Sequence, residues 1–273
     1  MPPFPPPVRA APDAPTSPNR SPLRFFLTVA ALSIPFAWFG AVTDLQLYPG
    51  IPVAALAFVC PVSAAALLAY RENGAAAVSA LLRRAFDFRR MSAKAWYVPT
   101  VFLMPCVTVA AYGLLRVRHS SLPAPRFPVP GALLLFLAFL VAALGEELGW
   151  SGYALDPMQE RWSALHASLV LGVNWALWHV IAMVEAGQSP AWIAWGCLDM
   201  LATRILMVWL YNNTGRSVFA VALYHAIANL SVKSMFPGGS YDAERTIALI
   251  LVGAAAVVTI VWGPRTLTRW SRS

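Results

Sequence analysis

The chain has 273 residues, of which 59% are hydrophobic and only 12% are charged. A soluble domain carries about twice that charged fraction, so the composition excludes an ordinary soluble enzyme and indicates a polytopic membrane protein. The net charge of +8 falls mostly between apolar runs, and we interpret it as a topology signal, with no nucleic-acid partner.

The first segment of the chain, residues 1–23, contains nine prolines and predicts a disordered Pro-rich cytoplasmic tail. An integral membrane domain is predicted over 24–264, and a basic cytoplasmic tail over 265–273. Within the domain, apolar runs of spanning length predict an all-α bundle of about eight transmembrane helices. They cover approximately residues 24–43, 51–70, 96–116, 131–155, 168–184, 190–211, 217–232 and 246–263. The runs 168–184 and 217–232 are the weakest.

Basic residues are unevenly divided between the two sides of this bundle. Fourteen fall in the segments that are cytoplasmic if the N-terminus is inside, and five fall in the outer segments. The positive-inside rule therefore predicts that both termini are cytoplasmic, in a membrane that we take to be the bacterial cytoplasmic membrane. Residues 75–90 predict a helix on the cytoplasmic leaflet with its arginines toward lipid headgroups, or alternatively a solvated basic loop. Pro123, Pro125, Pro128 and Pro130 predict a stiff external loop.

Two adjacent glutamates, Glu146 and Glu147, lie within the fourth predicted span. The fifteen residues before them, 131–145, carry no charge. An ionised carboxylate in a bilayer costs about 3 kcal/mol on insertion scales, so this pair needs partners, water or a shared proton. The pair is therefore the first candidate for a functional centre.

Other polar residues in the spans are His179, Asp199, Arg204, His225 and Asn229. Taken singly, each has a structural interpretation as a hydrogen-bonding contact between helices. His225 and Asn229 are four residues apart and share one helical face. At a rise of about 1.5 Å per residue, Glu146, both histidines and the asparagine fall at a similar depth, which favours one shared site.

A carboxylate, two imidazoles and an amide in one cavity are suited to hydrolysis. The carboxylate can serve as general base, and one histidine can hold the attacked water. The other histidine and the asparagine can donate hydrogen bonds to a developing oxyanion. No serine or cysteine has the histidine and acidic support that a nucleophilic triad requires.

Three motifs carry a family resemblance. They are Glu146-Glu147-Leu148-Gly149-Trp150-Ser151, then Trp175 to His179, and then His225 to Asn229. In order and spacing they resemble the motifs of the CPBP intramembrane proteases, a family that comprises CAAX proteases and bacteriocin-processing enzymes and is also called Abi. The resemblance covers about residues 75–232.

The resemblance implies an eight-helix bundle with a cavity open to the cytoplasmic leaflet. It implies cleavage of a peptide bond near the membrane surface, as in removal of the last three residues of prenylated CAAX proteins. Glu146 would activate water with His179, His225 and Asn229 would stabilise the oxyanion, and Glu147 would support the site. No cofactor is predicted, but members are often labelled metalloproteases, and zinc bound by His179, His225 and Glu146 is an open alternative.

The chain departs from the family pattern at two positions. Trp175 replaces the usual phenylalanine, and Ser151 stands where an arginine is usual, so the expected partner of Glu147 is missing. We hypothesise that Arg204, from the sixth predicted span, replaces it. In the alternative interpretation, Arg204 pairs with Asp199 or extends to the headgroups.

The sequence thus predicts an intramembrane peptidase whose partners are membrane lipids and a membrane-associated peptide or protein substrate. One alternative is a non-proteolytic protein that binds a membrane partner, such as a bacteriocin-immunity or secretion accessory factor. Another is a proton-coupled carrier that uses the glutamates and histidines as a relay. The absence of a visible internal repeat argues against the carrier.

Overall fold

Long apolar helices make up most of the chain in the computed structural model, which describes residues 20–43, 45–48, 51–118, 122, 129–235 and 243–268. In chain order the helices are α1 (Pro22–Val42), α2 (Val59–Arg83), α3 (Tyr97–Arg118), α4 (Val129–Gly149), the short α5 (Leu155–Arg161), α6 (Ala164–Glu185), α7 (Pro190–Asn213), α8 (Val218–Met235) and α9 (Glu244–Trp262). Serine caps begin four of them, because Ser21, Ser163, Ser189 and Ser217 each accept a backbone N–H three residues on.

Shorter elements join these helices. Strands β1 (Gln46–Tyr48) and β2 (Ile51–Pro52) form an antiparallel hairpin between α1 and α2, which the sequence analysis does not predict. Four 3₁₀ turns follow at Val53–Phe58, Arg84–Phe86, Phe88–Arg90 and Lys94–Trp96, and a π-helical turn at Trp150–Ala154 joins α4 to α5.

Seven segments in the described part of the chain are helical, long and apolar enough to cross a membrane. The weakly predicted run at 168–184 belongs to α6, whose 22 residues are sufficient. The other weak run belongs to α8, whose apolar part (218–234) is shorter than the rest. The prediction of an all-α polytopic membrane bundle is confirmed, and the protein is an integral membrane protein.

Helix α4 lies between α2 and α8, while α7 packs against α6 and α9. Two glycines on α4 allow the contact with the start of α2 to be close. A Cβ added at Gly149 would lie 2.5 Å from the carbonyl oxygen of Pro61, and one at Gly145 would lie 2.9 Å from that of Phe58. Small residues four apart on a membrane helix permit such approach of two backbones. This contact fixes the part of α4 that carries the glutamate pair.

The basic segment 75–90 differs from its prediction as a leaflet helix. Residues up to Arg83 continue α2 beyond a kink at Gly74, where φ is 69°. Arg83 and Arg89 are exposed, but Arg84 turns inward. It donates to Tyr211 Oη (2.7 Å) and to the carbonyl oxygens of Gly152 (2.7 Å) and Arg216 (2.8 Å). The predicted headgroup orientation is therefore wrong for Arg84, because three acceptors inside the bundle compete for it.

Asp87, three residues further on, caps the start of α8. Its carboxylate accepts from the Ser217 hydroxyl (2.7 Å) and from the backbone N–H groups of Val218 (3.1 Å) and Phe219 (3.0 Å). A carboxylate at a helix N-terminus satisfies N–H groups that have no partner within the helix. This cap ties the helix that carries His225 to the segment following α2.

Several predicted segments lie outside the described residues. They are the Pro-rich tail up to residue 19, the positions Pro123, Pro125 and Pro128 of the predicted stiff loop, and residues 269–273. The beginning of the predicted C-terminal tail is packed: the backbone N–H of Ala164 donates to the carbonyl of Arg265 (2.8 Å), and Leu267 is buried.

Candidate active site

A cavity of about 1070 Å³ lies inside the bundle, and four predicted site residues line it: Glu146, His179, His225 and Asn229. They come from α4, α6 and α8, so the structure brings together residues that are up to 83 positions apart in the chain. Most other lining residues are apolar and come from α4, the hairpin and the 3₁₀ turn that follows it. A small polar region thus faces a largely apolar space.

Glu146 sits in the last turn of α4, with 6% of its surface exposed. Its Oε2 accepts a hydrogen bond from the indole Nε1 of Trp175 at 2.8 Å. The same oxygen lies 3.9 Å from Nε2 of His179, beyond direct hydrogen-bonding distance. A carboxylate and an imidazole therefore face each other across a gap at the cavity wall.

The hydrogen bonds of His179 define its tautomer. Nδ1 lies 2.9 Å from the backbone carbonyl oxygen of Trp175, one turn earlier on α6. Because a carbonyl oxygen can only accept, Nδ1 carries the hydrogen. In the neutral ring, Nε2 is then left with its lone pair on the side of Glu146. This nitrogen can accept a hydrogen bond from a water molecule.

Glu147 has a different environment, since its side chain is fully buried. Arg204 from α7 approaches it in a two-pronged contact, with Nη1 2.9 Å from Oε2 and Nη2 3.2 Å from Oε1. The hydroxyl of Ser151 also donates to Oε2. The hypothesised pairing of Arg204 with Glu147 is present. Arg204 is itself fully buried, and Asp199 instead accepts from Thr203 (2.9 Å), so neither alternative for Arg204 is observed.

His225 contacts the second glutamate. Its Nδ1 lies 3.3 Å from Oε1 of Glu147, so its predicted role as an oxyanion donor is left to Nε2. Since a carboxylate paired with arginine accepts hydrogen bonds, Nδ1 of His225 is the donor. Asn229, one turn further along α8, lines the same cavity, and its amide makes no hydrogen bond to any other described residue. Both polar groups of the third motif therefore line the same cavity as Glu146, and one of them is oriented through Glu147.

Trp175 lies between these groups and is 4% exposed. The guanidinium carbon of Arg204 is 4.2 Å from the centroid of its ring. The rings of His179 and His225 meet it edge-on, with centroids 5.2 and 5.3 Å away. Trp175 is predicted from the sequence as a supporting aromatic residue, but its hydrogen bond to Glu146 is not predicted. A tryptophan where phenylalanine is usual was the signal, because only tryptophan brings an N–H donor.

Zinc ligation by Glu146, His179 and His225 requires these three side chains to point at one ion. No group of three or more histidine, cysteine, aspartate or glutamate side chains in the described residues is arranged to hold a metal ion. The residues as placed do not fit a zinc centre, and the chemistry below is derived from side chains alone.

The cavity also reaches polar residues to which the sequence analysis gives no role in the site. They are Thr203, Lys233, Glu244 and, already noted as an intramembrane carboxylate, Asp199. Asp199 and Thr203 precede Arg204 on α7, and Glu244 begins α9. No motif spacing connects them with the glutamate pair, so the sequence offered no signal for their proximity.

Comparisons with known proteins agree with this site. Residues 128–231, which include all eight predicted site residues, match the family model for type II CAAX prenyl endopeptidase Rce1-like proteins. The chain is 27% identical over 193 residues to CAAX prenyl protease 2 of Methanococcus maripaludis, an alignment that covers 65% of this chain and 70% of that protein. Both findings support the CAAX protease family that the three motifs indicate.

Proposed function

We propose that this member of the CAAX protease (CPBP) family is an intramembrane endopeptidase that uses water activated by Glu146. The observation that carries the proposal is the 3.9 Å gap between Glu146 Oε2 and His179 Nε2, at the wall of a cavity also lined by His225 and Asn229. The relative named CAAX prenyl protease 2 supports a protease activity and a peptide or protein substrate.

The gap suits one water molecule. A water about 2.8 Å from each of two acceptors that are 3.9 Å apart subtends an angle of about 90° between them, close to the angle between its own O–H bonds. It would donate one hydrogen to Glu146 and the other to His179. Its lone pairs would then point away from both groups, toward a substrate carbonyl in the cavity.

Glu146 acts as general base in this scheme. It takes one proton from the water as the water oxygen bonds to the carbonyl carbon, and the carbonyl oxygen becomes an oxyanion. The protonated Glu146 then gives that proton to the amide nitrogen as the C–N bond breaks. The products are a new carboxylate and a new amine, and no covalent bond to the enzyme forms.

Asn229 and His225 are placed to stabilise the oxyanion. The Asn229 amide can donate directly. His225 can donate from Nε2 when its ring is protonated, because Nδ1 already donates to Glu147. The Glu147 carboxylate orients that ring through Nδ1, which gives the second glutamate a role distinct from that of the first. Arg204 keeps Glu147 ionised for this purpose.

We further propose that cleavage takes place near the cytoplasmic membrane face and that both termini are cytoplasmic. The distribution of arginines supports this orientation, including the exposed Arg83 and Arg89 where α2 leads into α3. Glu146, in the last turn of α4, lies toward that side, and the cavity extends from it toward the hairpin and the start of α4. A bacterial cytoplasmic membrane is the expected location.

The test compares purified wild type with Glu146→Gln on a farnesylated CAAX peptide that carries a fluorophore and a quencher. General-base catalysis contributes roughly 10²- to 10⁴-fold, so we expect a loss of cleavage in that range. Glu160→Gln is the matched control, since Glu160 is exposed at the end of α5. Equal cleavage by wild type and Glu146→Gln contradicts the proposal. A biological activity retained by Glu146→Gln favours a non-proteolytic partner-binding protein.

A further inference from the structure

We infer that Trp175 is a positioning residue that fixes the carboxylate of Glu146 for proton abstraction. The inference rests on the proposed function of Glu146 and adds a residue through which that function is set. Trp175 acts through Glu146 and not on the substrate, because an indole N–H is a donor only and cannot accept a proton from water.

The first support is the geometry of the hydrogen bond. Trp175 Nε1 donates to Oε2 of Glu146 at 2.8 Å, and this is the oxygen that faces His179 Nε2. The terminal torsion of a glutamate side chain is broad, so a carboxylate without a fixed donor rotates readily. The indole therefore selects which oxygen faces the water site, and at what angle.

The second support is that the indole is itself held rigidly. Its ring stacks under the guanidinium of Arg204 at 4.2 Å, and Arg204 is held by its two contacts to Glu147. Trp175 is also buried against the edges of both histidine rings. A continuous series of contacts thus links Glu147, Arg204, Trp175 and Glu146. Arg204, which pairs with Glu147, thus also holds the indole that donates to Glu146.

The third support is the burial of Glu146. Among the described residues, Trp175 supplies the one hydrogen bond found for this carboxylate. Arg204 and Ser151 donate to Glu147 instead. A hydrogen bond to an ionised acceptor is stronger than one between neutral groups. Removing the N–H alone should therefore release the orientation of the Glu146 carboxylate.

The experiment replaces only that N–H. The tryptophan analogue β-(3-benzothienyl)alanine, in which sulfur takes the place of the indole N–H, is incorporated at position 175 by codon suppression. The matched control carries the same analogue at position 178. Trp178 lines the same cavity and touches His179, but its Nε1 donates to the Ser33 hydroxyl at 2.8 Å. Cleavage of the farnesylated peptide and thermal unfolding are measured for both proteins.

At position 175 we expect kcat to fall about tenfold to a hundredfold, the effect of losing one hydrogen bond to a charged group. KM should stay within about twofold, because the shape of the side chain is kept. The unfolding temperature should fall at both positions, because each protein loses one indole hydrogen bond. The control should lose less than about threefold in kcat. A fall in kcat that is the same at both positions, or absent at 175, overturns the inference.

Two further measurements separate this inference from the proposed function. Trp175→Phe should reproduce the loss in kcat, since phenylalanine keeps a ring but has no donor. In ultraviolet resonance Raman spectra of the wild type, one indole band should report the strong hydrogen bond from Trp175 to Glu146. Glu146→Gln should shift this band. In a protein that carries the analogue at position 175, Glu146→Gln should cause no such shift. Absence of this band change overturns the positioning role. Equal cleavage by wild type and Glu146→Gln instead overturns the proposed function.

Discussion

Loss of the Arg204 side chain should destabilise the protein strongly, and the size of the loss follows from the contacts of Glu147. Both side chains of the pair are fully buried. Removing one partner of such a pair typically costs about 3–5 kcal/mol, because the remaining charge stays buried without compensation. In Arg204→Met, Glu147 would still accept from Ser151 and His225. We therefore expect a loss near the lower limit, about 3 kcal/mol of unfolding free energy.

The double variant makes this expectation specific. Glu147→Gln alone leaves the Arg204 cation unpaired and should cost a similar amount. Glu147→Gln with Arg204→Met removes both charges, and replacement of a whole buried ion pair by neutral groups is often close to neutral. The double variant should therefore be more stable than either single variant. Such non-additivity is expected for residues in direct contact.

The assay is reversible unfolding in mixed micelles with an increasing mole fraction of sodium dodecyl sulfate, followed by tryptophan fluorescence. Arg89→Met is the matched control because Arg89 is exposed, and surface changes usually stay within about 0.5 kcal/mol. The reasoning would be refuted if the loss of unfolding free energy in the double variant equalled the sum of the losses in the two single variants. An Arg204→Met protein as stable as the Arg89→Met control would also refute it.

Three further predictions concern helix contacts and metal dependence. Gly149→Ala should lower the free energy of unfolding by about 1–3 kcal/mol and lower cleavage, because its Cβ would meet the Pro61 backbone at 2.5 Å. The control Gly113→Ala should be tolerated, because a Cβ there has nothing within 4 Å. Equal unfolding transitions for the two variants would contradict the helix contact. Asp87→Ala should lower the free energy of unfolding by about 1–2 kcal/mol through loss of the α8 cap, measured by the same unfolding assay. Asp87→Asn keeps a capping oxygen and should recover most of this loss. If asparagine does not recover it, the ion pair of Asp87 with Arg84 contributes more than the cap. Cleavage should be equally insensitive to 1,10-phenanthroline and to its non-chelating 1,7 isomer, because no three histidine, cysteine, aspartate or glutamate side chains among the described residues are grouped to hold a metal ion. Inhibition by the chelator alone would restore the zinc alternative.

The sequence predicted the bundle because apolar runs of spanning length are a direct consequence of the bilayer as solvent. It also predicted the convergence of the three motifs, since a polar side chain in a membrane span must find a partner and helix depth can be counted from the span ends. The pairing of Arg204 with Glu147 followed from the same reasoning about unpaired charge.

The sequence did not predict how the two histidines divide between the glutamates. Adjacent residues on a helix point about 100° apart, and which of two neighbouring helices each one meets depends on packing. That packing is set by Gly145 and Gly149, whose four-residue spacing was present in the sequence but was not interpreted as a helix contact. The inward turn of Arg84 was missed because its acceptors include carbonyl groups of Gly152 and Arg216, which no side-chain pattern reveals.

The π-helical turn at Trp150–Ala154 gives the segment after the glutamates a helical phase of its own. Such a turn accommodates one more residue than an α-helical turn, so α5 is offset by one residue from the register of α4. This offset aims Asp156 at Tyr211 and Arg216 while Glu147 keeps its direction toward Arg204. Deleting one residue from this turn would rotate everything after it by about 100°. The chain length between Glu147 and Asp156 is thus constrained by the separate ion-pair partners of these two carboxylates, Arg204 and Arg216.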